Sequence, residues 1–434
     1  MEWSTHAIWW HVYPLGFVGA EREALSPGSP AVSRLPKLAG WLDYLVELGC
    51  NGLALGPVFA SETHGYDTVD HFRIDGRLGD EDDLVRLIEQ SHARGVRVLL
   101  DGVFNHVGRG FPAFEDVLKH GSDSRFASWF QVDSDGDYRT FEGHDRLVVL
   151  NHDAPAVVDY VSDVMSHWLD RGVDGWRLDA AYTVPVSFWH QVTTRVRARH
   201  PGAWFVGEVI HGEYGAFVQD GGLDSVTQYE LWKAIWSSLN DHNLHELSWT
   251  LGRHNALLGT FTPQTFLGNH DVTRIASRLD DERHLEHALV VLLTVGGVPS
   301  VYAGDEQAFR GIKEEREGGD DAIRPAFPDT PDGLAVDGWG YYRLHQLLIG
   351  LRRRHPWLVS SRATVHALTN TSIVYTVGEG EEWLAVALNI GEQPVDLGLP
   401  TADWQRVAGT GELTADLVTL PPAGWSIAVA GSAG

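Results

Sequence analysis

Three carboxylates, Asp179, Glu208 and Asp271, each stand where a short apolar run breaks into polar residues. The runs are Gly175-Trp176-Arg177-Leu178 before Asp179, Ala203-Trp204-Phe205-Val206-Gly207 before Glu208, and Thr265-Phe266-Leu267-Gly268 before Asn269-His270-Asp271. A fourth run, Val96-Arg97-Val98-Leu99-Leu100, leads into Asp101-Gly102-Val103-Phe104-Asn105-His106. Strand alternation puts Arg177 and Asp179 on one face. A lone Arg-x-Asp is ordinarily a structural ion pair, but carboxylates converging from several strand ends suit acid–base work. Two carboxylates can divide such work, one giving a proton to a leaving atom and the other stabilising or capturing the positive centre left behind. A barrel of parallel strands gathers such groups at its C-terminal strand ends.

Taken in order, the four blocks resemble the four conserved sequence regions of the α-amylase family of glycoside hydrolases. The resemblance extends to His64-Gly65-Tyr66-Asp67-Thr68 upstream and Gly304-Asp305-Glu306 downstream. It implies that Asp179 is the nucleophile, Glu208 the general acid and then base, and Asp271 a third carboxylate that grips sugar hydroxyls. It further implies hydroxyl binding by His106 and His270, and an aromatic platform at Tyr66. Asp320 or Asp321, with Arg324, resembles a motif that binds the terminal sugar. Arg177 should keep Asp179 ionised and oriented. Glu208 should sit in a less polar setting that raises its pKa. Asp101 reads as a structural hydrogen-bond acceptor.

No cofactor is expected, and calcium is the only candidate metal. Asn105 matches a residue that often contributes a calcium ligand in the family, but Ala181 and Tyr182 stand where starch-liquefying members carry lysine and histidine. The expectation is therefore no required metal. His242 and His245 are no zinc-protease pair, because the second histidine of that motif is absent from Leu247-Ser248-Trp249.

The elements that must position these residues follow a β-α-β rhythm. Ala7 to Pro14 suits a first strand, Leu35 to Leu48 a helix and Asn51 to Val58 a second strand. Asp80-Glu81-Asp82-Asp83 starts a helix that Gly95 stops. The fourth to eighth strands carry Asp179, carry Glu208, span Asp224 to Tyr229, span Gln264 to Gly268, and span Gly297 to Tyr302. This is an α/β fold, a (β/α)8 TIM barrel. Between the third strand and its helix lies a glycine- and aromatic-rich excursion, with Gly108, Gly136, Phe111, Trp129 and Phe141 among its residues and no clear strand–helix unit. By resemblance it is a loop-rich inserted domain B. Period-two runs from Thr371 onward predict an antiparallel β-sandwich, domain C by resemblance. The expected boundaries are 1–106 and 151–357 for the barrel, 107–150 for the insertion and 358–434 for the sandwich.

A formal charge of -26, from 59 acidic against 33 basic residues, argues against nucleic-acid and anionic-membrane partners and fits a neutral substrate. The single cysteine, Cys50, rules out an intramolecular disulfide. No basic leader precedes an apolar stretch, and no segment has the length of a membrane span, so a cytoplasmic location is expected. Short or cyclic α-glucooligosaccharides are the expected substrates. Within the family the chain looks most like the cyclomaltodextrinase, neopullulanase and cyclic maltosyl-maltose hydrolase group, whose members commonly pair, so a homodimer is expected. The competing readings are a transglycosylase or sugar isomerase using the same covalent intermediate, and a non-catalytic relative, which would be free to lose these carboxylates.

Overall fold

The computed structural model describes residues 3–132, 137–316, 318–380, 382–414 and 416–430; Gly136 of the excursion lies outside them. Eight short strands form one parallel sheet: β1 (Trp9–Val12), β2 (Gly52–Leu55), β3 (Arg97–Gly102), β4 (Gly175–Leu178), β5 (Trp204–Gly207), β6 (Ser225–Val226), β7 (Gln264–Phe266) and β8 (Val298–Tyr302). Their spatial order is β6-β5-β4-β3-β2-β1-β8-β7, and a parallel bridge from Thr227 to Gln264 joins the two edges into a barrel.

Alternation sorts each strand into two layers. Trp9, Leu99, Trp204 and Val298 pack together at the base of the interior, with Trp9 stacked on Trp204 at 5.5 Å. Trp10, Leu100, Trp176 and Leu178 face outward into the larger layer beneath the helices. Gly175 is required where β4 meets β5, because a Cβ there would lie 2.1 Å from the carbonyl oxygen of Trp204. The helix Glu81–His92 begins at a capping box in which Asp80 and Asp83 each bond the other's backbone amide, and Gly95, at φ 73°, ends the turn after it.

The excursion holds more regular structure than its composition suggests. A helix runs from Pro112 to His120, and His106–Gly108, Thr140–Phe141 and His144–Val149 form an antiparallel sheet. Proline at the first helical turn fits where its missing amide costs nothing. The helix buries Ala113, Phe114 and Val117, and Phe114 meets the rings of Phe130 and Tyr138, each at 5.0 Å. That stripe comes into register only once distant aromatics close over it.

Beyond the helix Trp339–Arg354 the chain builds two antiparallel sheets. The larger places Ala363–Leu368, Ser372–Glu379, Glu382–Asn389, Trp425–Ala430 and Trp404–Gly409 side by side, and the smaller joins Val395–Gly398, Leu417–Leu420 and Glu412–Leu413. Val374, Ala387, Leu397, Val418 and Leu420 pack between them. A buried hydrogen bond of 2.7 Å joins Tyr375 to Thr294 and so ties the sandwich to the barrel.

Candidate active site

Arg177 and Asp101 are parallel register partners on β4 and β3, so their side chains enter the barrel mouth together. The guanidinium serves as a hub for three carboxylates. Its Nη1 donates to both oxygens of Asp101, at 2.8 and 2.9 Å, and to Oδ1 of Asp179 at 2.8 Å. Its Nη2 lies 2.8 Å from Oε2 of Glu208. One positive charge cannot neutralise three negative ones. Burial pushes the carboxyls of Asp179 and Asp101 above the usual range, Asp179 strongly so, and the charge of Glu208 adds to that push while Arg177 opposes it. Arg177 therefore orients Asp179 and opposes the upward push on its carboxyl, as expected of it, but it shares its charge with Asp101 and Glu208.

The setting of Glu208 differs from expectation. Besides Arg177, its carboxylate accepts the hydroxyl of Tyr229 at 3.0 Å and the amide of Ala180 at 3.0 Å. This pocket is polar. Ala180 reaches Glu208 because its backbone adopts the left-handed conformation at φ 44°, which costs a non-glycine residue energy and persists only where neighbours enforce it. Asn269 in turn donates to the Tyr229 oxygen at 2.8 Å.

Asp271 sits on the opposite wall. Burial would raise its pKa, but His270 at 2.8 Å and Arg324 at 2.9 Å overcome this and hold the carboxylate well below the usual range. His270 Nε2 also contacts the Tyr66 hydroxyl, which donates to Asp101 at 3.1 Å, so Asp101 is a shared acceptor as expected. The Tyr66 ring lies against that of His270, centroids 5.3 Å apart, which occupies one face of the expected platform. His106 is buried, with Nε2 on the carbonyl of Tyr66 at 3.0 Å and Nδ1 by the Asn105 amide at 3.1 Å. Burial pulls its imidazole down to about 3, so it is neutral. Phe141, from the excursion, stacks on His106 at 4.8 Å.

At the rim the structure separates the two aspartates left open by the sequence. Asp320 lies 2.9 Å from Arg324, whereas Asp321 turns outward, is 68% exposed at its side chain and pairs with Arg22. Arg324 also donates to the carbonyl of His270 at 2.8 Å and covers the ring of Tyr13. Of the predicted residues, Asp179, Glu208, Asp271, Arg177, Tyr66, His270 and Arg324 come together directly, His106 joins through the Tyr66 backbone, and Asp321 stands apart. The described residues hold no group of three or more His, Cys, Asp or Glu side chains arranged for a metal ion, and no helix long and apolar enough to cross a membrane.

Sequence reasoning missed His11, Tyr229 and Tyr182. His11 sits on β1 with Nε2 at 3.2 Å from Nδ1 of His270. Its signal was available: it shares the inward face with Trp9. Tyr229 follows β6, too short a strand to flag its ending. Tyr182 donates to Glu142 of the excursion at 2.8 Å, a pairing no local pattern announces.

Residues 34–329 match the family model for the α-amylase catalytic domain. The chain is 31% identical to a cyclomaltodextrinase from Bacillus sp. over 423 residues, covering 89% of this chain and 73% of that protein. It is also 31% identical to the intracellular maltogenic amylase of Bacillus subtilis over 340 residues, 71% of this chain and 57% of the relative. Among solved structures, the ligand-free cyclic α-maltosyl-(1→6)-maltose hydrolase from Arthrobacter globiformis superposes with a TM-score of 0.83 at 27% identity, covering 99% of this chain and all of that one. With its parallel barrel, its carboxylates at the strand ends and a family model matching well over half its length, this chain belongs to the α-amylase family of glycoside hydrolases.

Proposed function

We propose that the chain is a retaining hydrolase of α-glucosidic bonds in short or cyclic glucooligosaccharides. The observation that carries the stereochemistry is the shared guanidinium: Asp179 and Glu208 each lie 2.8 Å from nitrogens of Arg177. One guanidinium spans the close spacing of a retaining pair, about 5–5.5 Å, far better than the 6.5–9.5 Å or so that leaves room for water in an inverting pair. Asp179, held at Oδ1 by Arg177, attacks the anomeric carbon through Oδ2. Glu208 protonates the departing oxygen, and a glycosyl–Asp179 ester forms as the glycosidic bond breaks. Glu208, now ionised, takes a proton from water, and the resulting hydroxide displaces Asp179. Asp271, kept ionised by His270 and Arg324, grips ring hydroxyls; His106, His270 and Tyr66 line the cleaved sugar's site, and Arg324 with Asp320 meets the next sugar. Asp321 is left as a rim residue in this reading.

Substrate size follows from the walls. The insertion at 107–150 serves as one wall of the cleft, with Phe141 over His106 and Glu142 bonded to Tyr182, and Arg324, in the loop after β8, reaches Asp271 from the other side. The names of the relatives, a cyclomaltodextrinase and a cyclic maltosyl-maltose hydrolase, support small or cyclic substrates. A cytoplasmic location and a homodimer belong to the same proposal, the former supported by the intracellular relative. The test is proton NMR of the first-formed product, with kcat/KM compared across cyclodextrins, linear maltooligosaccharides, an α-1,6-containing cyclic tetrasaccharide and soluble starch. An initial α-anomer and a preference for the small substrates are expected. An initial β-anomer overturns retention, and equal cleavage of starch per chain overturns the size argument.

A further inference from the structure

Among the described residues three arginines are buried, and two of them hold a carboxylate: Arg77 lies 2.7 Å from Asp75 and Arg274 2.8 Å from Asp305. Arg352, 6% exposed, has no such partner. Its Nη1 donates to the carbonyls of Leu293 at 3.2 Å and Val295 at 2.7 Å, and its Nη2 to that of Gly297. Carbonyl dipoles at the end of a helix soften the cost of burying a charge, but a buried cation without a counter-charge remains expensive. Burial alone pulls this guanidinium down to about 10.

Against Arg352 opens a cavity of about 110 Å³, lined among others by Thr5, His6, Arg353, Pro356 and Val359. It lies at the N-terminal end of the barrel strands, since His6 precedes β1 and Gly297 precedes β8, and so faces away from the carboxylate cluster. A water molecule takes roughly 30 Å³, so the space suits a small polyatomic ion. Arg353 lends Nε and Nη2 to the carbonyl of Gly49, which leaves Nη1 as the nitrogen it can offer a ligand. With three hydrogens of Arg352 committed to carbonyls, its remaining Nη2 hydrogen and the Nη1 hydrogens of Arg353 are the charge-assisted donors that the oxygens of a tetrahedral anion can take.

We propose that this cavity binds a phosphate group, with Arg352 and Arg353 as the charged partners and Thr5 and His6 at its edge. The ligand supplies the counter-charge that Arg352 lacks. Its chemistry is that of free phosphate or of a phosphomonoester on a small sugar, whose remainder would project toward solvent.

The proposal is tested by isothermal titration of the whole protein with inorganic phosphate, glucose 6-phosphate and glucose at matched ionic strength. Saturable binding of one phosphate-bearing ligand per chain is expected, and none of glucose. Tighter binding of glucose 6-phosphate identifies the ester, and tighter binding of phosphate the free ion. Arg353→Met should weaken binding about tenfold or more, the loss of one charge-assisted contact, while kcat on maltotriose stays unchanged. Arg352→Lys, which keeps the charge but loses the fork, is a second variant; should it fail to fold, Arg353→Met decides. Absence of saturable heat at tens of millimolar phosphate, or equal affinity in Arg353→Met, overturns the site.

Discussion

Removing the His11 side chain tests how Asp271, the proposed sugar-gripping carboxylate, is held. Asp271 is an acceptor, so the hydrogen at 2.8 Å must come from Nε2 of His270. Its Nδ1 faces His11 Nε2, 3.2 Å away, and one hydrogen joins the two ring nitrogens. Burial, with the nearby charges of His270 and Arg177, holds His11 well below its ordinary pKa, so it is neutral and carries a single ring proton for this purpose. His11→Phe keeps a ring in the space but orphans Nδ1. An unsatisfied buried polar group costs about 1–3 kcal/mol, which corresponds to roughly 5- to 150-fold in kcat/KM if the whole penalty falls on the transition state. His11→Gln can present an amide hydrogen from the same strand position and should recover most of the loss. The assay is steady-state kinetics on maltotriose or a cyclodextrin, with kcat expected to fall more than KM rises and with unchanged circular dichroism. A loss of less than about threefold in the Phe variant, or a Gln variant no better than Phe, refutes the positioning role.

Asp179→Asn should leave the fold intact and cost several orders of magnitude in turnover on every substrate, because the covalent route closes. Glu208→Gln should retain activity on aryl glycosides, whose leaving groups need little protonation; equal losses on both substrate types would sink the assignment. Burial pulls His71, His254, His287 and His345 to about 4 and His106 to about 3. The unfolded chain protonates these groups below about pH 6.5 and the folded one does not, so stability present above that pH is lost as pH falls towards 4, by about 2 kcal/mol per group at pH 5. Glu306, raised to about 7, and Asp305, raised to about 6, work in the opposite direction and offset part of this. Urea midpoints should be lower at pH 5 than at pH 7, and an equal or higher midpoint at pH 5 contradicts the balance. Prolonged chelation should change neither melting temperature nor rate, whereas a drop of several degrees restored by calcium would reveal an ion in the excursion.

The gathering of carboxylates at the strand ends was legible because it is written as charge on apolar strands. A carboxylate after Gly175-Trp176-Arg177-Leu178 reads alone as a structural ion pair, but its recurrence after Trp204-Phe205-Val206-Gly207 marks a shared strand end, and strand period fixes which side it faces. The electrostatic balance was not legible, because it depends on how many carboxylates one guanidinium meets. Asp101 and Glu208 reach Arg177 from neighbouring strands, and sequence offers no distance between them. The choice between Asp320 and Asp321 turned on a single residue's direction in a loop. The helix Pro112–His120 stayed hidden because its apolar stripe is short and is completed by Phe130 and Tyr138. In the sandwich, Trp404–Gly409 and Leu417–Leu420 carry weak alternation and owe their pairing to partners remote in the chain.

Only Val103, Phe104 and Asn105 separate β3 from His106, where the sheet of the excursion begins. The tip of the excursion is fastened back by the Phe141 ring on His106 and by the Glu142–Tyr182 bond. The described residues of 106–150 are therefore joined to the barrel and latched to it by these two contacts on the same face. Opening the latch uncovers His106, which in turn loosens its hold on the carbonyl of Tyr66 and the tyrosine that shares Asp101 with Arg177. Opening these contacts is therefore expected to cost the local order of the segment and the arrangement around Asp101 together. A ligand that binds only the latched form adds its binding free energy to the cost of that opening, so the enzyme is most rigid while it is occupied and most open to proteolytic attack between turnovers.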